Sequence, residues 1–256
     1  LPDRHQGSPD QEHGRHRACV SKEKPPAAWK NLCCRGLFMR FILCKCLIFT
    51  RKSNKIRLGG ENMIKTTAAI LAELQNYASP ADKLSRLVKA GKYIPLLRGL
   101  YETDKTTPGY LVAGNIYGPS YLSFEFALSY YGMIPEAVYT YTSATFEKKK
   151  KKRYENALGR FTYQDVPSKI YPFGIVLVYE GEYAFQIAAR EKAICDQLYK
   201  MHPVANHKAL SVLLFDDLRI DQQELRKIDL GKLDMLSAQY PSTNVKKFCR
   251  LMRRWK

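Results

Sequence analysis

The sequence predicts an α+β fold, and three observations carry that expectation. A helix, a turn, a basic helix and a short hairpin follow one another between residues 63 and 105. The middle of the chain runs in period-two stretches broken by turn residues, as strands do. From Arg190 onward apolar residues recur at helical spacing. Taken in order, these predict a short amino-terminal winged-helix-like region over 63–105. A mixed α/β domain with a helical carboxy-terminal part follows over 106–256.

The first region is read from its spacing. Ile64, Ala68 and Leu71 repeat at helical intervals among good helix formers, so Met63–Gln75 is expected to be a helix. Ser79 and Pro80 are an N-cap and a first helical residue. The second helix buries Leu84, Leu87 and Val88 and stops at Gly91. Its other face shows Lys83, Ser85, Arg86 and Lys89, with Lys92 just beyond. Two strand-like pieces, Tyr93–Leu96 and Gly99–Glu102, turn near Arg98. A basic helix beside such a hairpin is the arrangement in which a helix enters the major groove while the hairpin touches backbone. The competing reading is a merely solvated face of an amphipathic helix.

The middle shows one clear helix, in which Phe124, Ala127, Leu128 and Tyr131 share a face between Ser123 and Gly132. Val138–Thr145 alternates as a strand. Arg153–Asn156 should pair with Arg160–Val166, and Tyr171–Tyr179 with Glu182–Ala188. Lys148, Lys149 and their neighbours through Arg153 form a run of positive charge, either a phosphate track or a solvated loop. Helices are expected at Arg190–Lys200, Asn206–Phe215 and Gln222–Ile228. A last one places Val245, Phe248, Cys249 and Met252 on one stripe and Lys246, Lys247, Arg250, Arg253 and Arg254 around it.

Charge points the same way. The chain carries 42 Lys and Arg against 24 Asp and Glu, a net +18. Of these, 13 basic and 5 acidic residues precede Met63, so 29 and 19 remain in the body. Such a surplus predicts attraction to a polyanion, either nucleic acid or an anionic membrane. Five of the seven cysteines also precede Met63 and only Cys195 and Cys249 follow, which is no disulfide framework and fits a reducing cytoplasm. Leu37–Phe49 is interrupted by Arg40 and Lys45 and is too short to span a bilayer. Residues 1–62 lack a sustained period. Gly59-Gly60-Glu61 can be encoded by a purine run of the ribosome-binding type, so Met63 is read as the start and 1–62 as leader or disordered chain. His13, His16 and Cys19 share a spacing of three, but no zinc-type spacing code accompanies them, and neither metal nor cofactor is expected.

Catalytic motifs are absent from the sequence: there is no P-loop, Gly-x-Ser-x-Gly or His-Glu-x-x-His. Glu191, Lys192 and Asp196 are the only combination that suggests acid/base work, as in a nucleic-acid-processing enzyme. Glu191 and Asp196 stand five apart on a helix and so face different ways, which favours packing and ion pairing. The tyrosines Tyr117, Tyr121, Tyr130, Tyr131, Tyr139 and Tyr141 could stack on exposed RNA bases or fill a core.

Several ordered segments resemble the AbiEi family of antitoxin regulators. They are Leu87-Val88-Lys89-Ala90-Gly91-Lys92 with Leu97-Arg98-Gly99-Leu100-Tyr101, then Pro119 through Val138, similar to the family's "PSYvSlesALsyhGLIPE", then Thr142-Ser143-Ala144-Thr145 and Gly159-Arg160-Phe161-Thr162-Tyr163. Ile187 through Ala193 with Asp196 follows, where Ala189 and Arg190 stand in place of the family's usual Thr and Pro. The resemblance covers roughly Ser79 to Tyr199. It implies a winged-helix DNA-binding part joined to a mixed α/β domain. It also implies a cytoplasmic, non-enzymatic antitoxin of a type IV toxin–antitoxin system. Such a protein would bind double-stranded DNA at its own promoter and counter a nucleotidyltransferase-like toxin without a stable complex.

Overall fold

The computed structural model describes residues 64–255. The readings of residues 1–62 as leader, of Met63 as start and of the His13, His16, Cys19 spacing lie outside the described residues. What is described is a mixed α and β protein with two sheets.

The first sheet is small. Strand β1 (Lys65–Thr66) leads into helix α1 (Thr67–Glu73), a turn, and helix α2 (Pro80–Lys89). Strands β2 (Ile94–Leu97) and β3 (Leu100–Glu102) then form a hairpin, and β1 pairs with the other edge of β3, giving the antiparallel order β1-β3-β2. The expected helix over Met63–Gln75 is therefore shorter. Thr66 ends a strand opposite Leu100 and accepts a hydrogen bond from the Ala69 amide at 3.3 Å, capping α1. A β-branched residue with a hydroxyl suits both tasks. Ile70, Leu74, Leu84 and Tyr93 make a small core of their own.

The second sheet has six strands. After α3 (Gly109–Ile116) come β4 (Ser120–Leu122), α4 (Phe124–Tyr130), β5 (Thr140–Thr145), β6 (Lys152–Asn156), β7 (Gly159–Asp165), β8 (Ile175–Glu180) and β9 (Tyr183–Ala188). Their order is β6-β7-β5-β4-β9-β8. Antiparallel hairpins β6–β7 and β8–β9 close its two ends, while β5–β7 and β4–β9 are parallel. Gly109 is required where α3 crosses β5: a Cβ there would sit 2.2 Å from the Tyr141 ring. Sequence spacing did not reveal α3, because two glycines interrupt it and Leu111, Val112 and Ala113 are buried in succession, which hides a helical period.

Helices complete the body: α5 (Arg190–Lys200), α6 (His207–Val212) running into a π-helical turn (Leu213–Asp217), α7 (Gln222–Arg226), α8 (Leu230–Gln239) and α9 (Thr243–Trp255). The stripe Val245, Phe248, Cys249 and Met252 is buried as expected. Each such side chain contributes about 1.5–3 kcal/mol when fully removed from water. The two cores are not separate islands. Leu96 of β2 belongs to the main core, and its carbonyl accepts from Asn156 Nδ2 at 3.1 Å at the end of β6.

Candidate nucleic-acid interface

Helix α2 is closed firmly at its far end, whereas at its start Ser79 holds the N-cap position without its side chain capping an amide. Pro80 opens it after the extended Ser79, whose hydroxyl donates to Asp82 at 2.7 Å. At the far end Gly91 takes φ +73°, and the amides of Gly91 and Lys92 bond back to Val88 and Leu87 at 2.9 Å. This left-handed reversal satisfies the last carbonyls and needs a residue without a Cβ. Asp82 in the first turn and Arg86 and Lys89 in the last complement the helix dipole.

Leu84 is buried and Leu87 and Val88 half-buried against the small core, so the opposite side faces solvent. Ser85, Arg86 and Lys89 are exposed there. Lys83 departs from that group. At about 100° per residue it lies beside Leu87 rather than opposite it, and its ammonium rests 4.6 Å from the centre of the Tyr77 ring. Lys92 is exposed on the short link to β2, and Arg98 is exposed on the hairpin turn, beside Gly99 at φ +88°. The Gly99 carbonyl accepts from Thr67 at 3.0 Å, which fixes that turn against the start of α1.

The remaining basic residues divide. Lys148 is half-buried with its ammonium 5.2 Å over the Tyr117 ring. Lys149 extends an exposed side chain while its amide donates to the Asp165 carboxylate, which also accepts the Thr145 hydroxyl. The lysine loop is thus anchored at its base and solvated beyond. On α9, Lys247 and Arg253 have other work than the expected phosphate contacts. Lys247 donates to the carbonyls of Val204 and Ala205, and Arg253 pairs with Asp234 at 3.0 Å. Lys246 and Arg250 are exposed, with no partner among the described residues. Helix α9 packs on α5, α6 and α8.

Glu191, Lys192 and Asp196 lie in the interior. Glu191 accepts the Asp229 amide at 2.9 Å, just before α8. Lys192 and Asp196 are both fully buried, one helical turn apart, with 3.8 Å between charges. Asp196 accepts from Tyr121 at 2.9 Å, Ser123 at 2.7 Å and Tyr240 at 2.5 Å. The Lys192 ammonium donates to the Ile170 carbonyl at 3.0 Å and faces the Tyr121 ring at 5.2 Å. Burial pulls Lys192 below the usual lysine value against the opposing pull of Asp196. Burial, reinforced by Asp196, pushes Tyr121 and Tyr240 well above the usual phenol range. As expected from their spacing, Glu191 and Asp196 serve different neighbours. They do not converge on one point.

Most of the tyrosines singled out in sequence pack inward. Tyr121 is buried, and Tyr117, Tyr131 and Tyr141 are half-buried in ring clusters; for example, Tyr141 and Phe161 lie 5.1 Å apart. Burial raises Tyr131 to about 12. Tyr130 and Tyr139 are the exceptions, Tyr139 at 87% exposed and Tyr130 at 41% despite its ring contacts. Sequence reasoning did not single out Arg160. Its signal was the hairpin register, which sets it opposite Glu155 and one step diagonally from Arg153.

Among the described residues no group of three or more His, Cys, Asp and Glu could hold a metal ion, and no helix is long and apolar enough to cross a membrane. No protein-family model and no curated protein matches the chain.

Proposed function

We propose that the chain is a DNA-binding antitoxin and autorepressor of the AbiEi type, cytoplasmic and non-enzymatic, acting beside a nucleotidyltransferase-like toxin without forming a stable complex with it. One observation carries the DNA-binding part. A capped helix shows Ser85, Arg86 and Lys89 to solvent, next to a hairpin whose turn carries Arg98. In the winged-helix reading of 63–105, α2 enters the major groove and the β2–β3 hairpin lies on the backbone. Lys83 shifts from base or phosphate contact to bracing Tyr77, and the α9 contribution narrows to Lys246, Arg250 and Arg254. The free, buried Cys195 and Cys249 accord with a reducing compartment. The enclosed Lys192–Asp196 pair is read as architecture, which supports the non-enzymatic reading over a processing enzyme.

The test is titration of the purified protein on its own promoter and on scrambled DNA at two salt concentrations. The expected result is a clear preference for the promoter, lost in Arg86→Ala. Equal affinity of the unaltered protein for both duplexes overturns the repressor reading. Antitoxicity is assigned to 106–256. Cutting at residue 101 would strip Leu96 from the main core, so the cleaner test keeps the fold. Ser85→Ala/Arg86→Ala/Lys89→Ala, co-expressed with the adjacent gene, should still rescue growth while losing promoter repression.

A further inference from the structure

The open face of β5, β6 and β7 carries a groove of about 590 Å³. Directly opposed residues on neighbouring strands share a face. The register opposes Arg153 to Thr162, and Arg160 to both Glu155 and Thr140. Two guanidinium groups and two hydroxyls therefore line one surface, with one carboxylate among them. Arg153 and Arg160 are diagonal neighbours, a spacing of about 7–8 Å between residues and somewhat less at the Cβ atoms. Arg160 meets Glu155 at 3.4 Å, but both side chains are more than 70% exposed, and such a pair holds weakly. Two rings border the groove, and neither offers a face to a base: Tyr154 is turned into the Tyr117 and Tyr163 rings at 5.9 and 5.8 Å, and Phe161 is fully buried against the Tyr141 ring at 5.1 Å.

The charge continues at both ends of the groove. The exposed lysines before Arg153 run directly into β6. At the opposite end Asn156 is bonded to β2, whose hairpin turn carries Arg98. We infer that this groove seats the sugar–phosphate backbone of a DNA duplex, continuing past the hairpin the track that begins at α2. It rests on the DNA-binding reading above. Guanidinium and hydroxyl groups without a free stacking surface bind phosphate and read no sequence. The groove therefore supplies affinity, and α2 supplies choice.

The experiment uses the full chain and a labelled duplex of scrambled sequence, titrated over a series of salt concentrations, with the promoter duplex and a single strand of equal length in parallel. Arg153→Ala/Arg160→Ala should lower the slope of log affinity against log salt by about 0.9 for each arginine lost. Promoter preference should stay unchanged. Arg153→Lys/Arg160→Lys should restore most of the slope, showing that the alanine variant fails through charge rather than misfolding. An unchanged slope overturns the groove while leaving α2 its role. A flattened slope in a protein without promoter preference upholds the groove and overturns the repressor reading. A change confined to the single strand overturns the assignment to duplex.

Discussion

Helices α2 and α5 each carry charged side chains about one turn apart, and the fold uses them in opposite ways. On α2, Arg86 and Lys89 stand three apart on a helix that buries only Leu84 completely, so their charges remain in water. On α5, Lys192 and Asp196 stand four apart on a helix with eight consecutive buried residues, Glu191 to Leu198. There a buried charge must find partners, and for Lys192 and Asp196 these are Tyr121, Ser123, Tyr240 and the Ile170 carbonyl. The difference lies in what packs around each helix. A solvated charge is available to a ligand. An enclosed one is spent on its own protein.

The largest expected effect acts on the enclosed side. Tyr121 and Tyr240, with Tyr163, hold their protons more tightly in the folded chain than their ordinary value of 10. The stability they contribute is complete below pH 10 and is lost as the pH climbs through their raised values. Lys192 acts with the opposite sign, since its lowered value makes stability rise between that value and 10.5. One lysine against several phenols leaves a net loss. Alkaline unfolding above pH 10, with tyrosinate absorbance and far-ultraviolet dichroism changing together, is the expected observation. Gradual tyrosine ionisation with the fold intact would break the contrast.

Next comes the pair itself. Asp196→Ala removes one partner of a buried ion pair and strands three hydroxyls, so it should cost about 3–5 kcal/mol in denaturant unfolding. A loss below 1 kcal/mol would mean that water already reaches this cluster. Arg86→Ala should show the reverse profile. Its stability should stay within about 0.5 kcal/mol of the parent chain, while discrimination between promoter and scrambled DNA falls by about 1–3 kcal/mol. The smallest effect belongs to Lys83→Ala. Losing its position over Tyr77 should cost about 0.5–1 kcal/mol of stability and leave promoter preference intact. A loss of preference as large as that of Arg86→Ala would return Lys83 to the reading surface.

The two sides also differ in how far they could be read in the sequence. Local period was enough for α2, for the two hairpins at the sheet ends and for Arg190–Lys200, which matches α5 residue for residue. Period fails where consecutive residues are buried or a segment is too short to alternate. Hence α3 and the three residues of β4 went unread, and α8 too escaped notice. The roles of Lys192 and Asp196 depend on partners far along the chain: Tyr121 and Asp196 are 75 positions apart, and Tyr240 a further 44. Lys247 and Arg253 read as free basic residues for the same reason, since the carbonyls of residues 204 and 205 and the Asp234 carboxylate come to them only in the folded chain.

The shortest strand of the large sheet is also its seam. Strand β4 joins β5 to β9, meeting β9 at the single pair Leu122 and Ile187. The terminal hairpins close over loops of a few residues, whereas β4 must find a strand some sixty residues downstream, and loop-closure entropy delays contacts of that kind. The hairpins should therefore zip early and wait. When β4 docks, Tyr121 and Ser123 reach Asp196 in the same movement. Sheet completion and the quenching of the buried charge thus become one late, cooperative step, and the amides of β4 are the place where its timing would be recorded in hydrogen exchange.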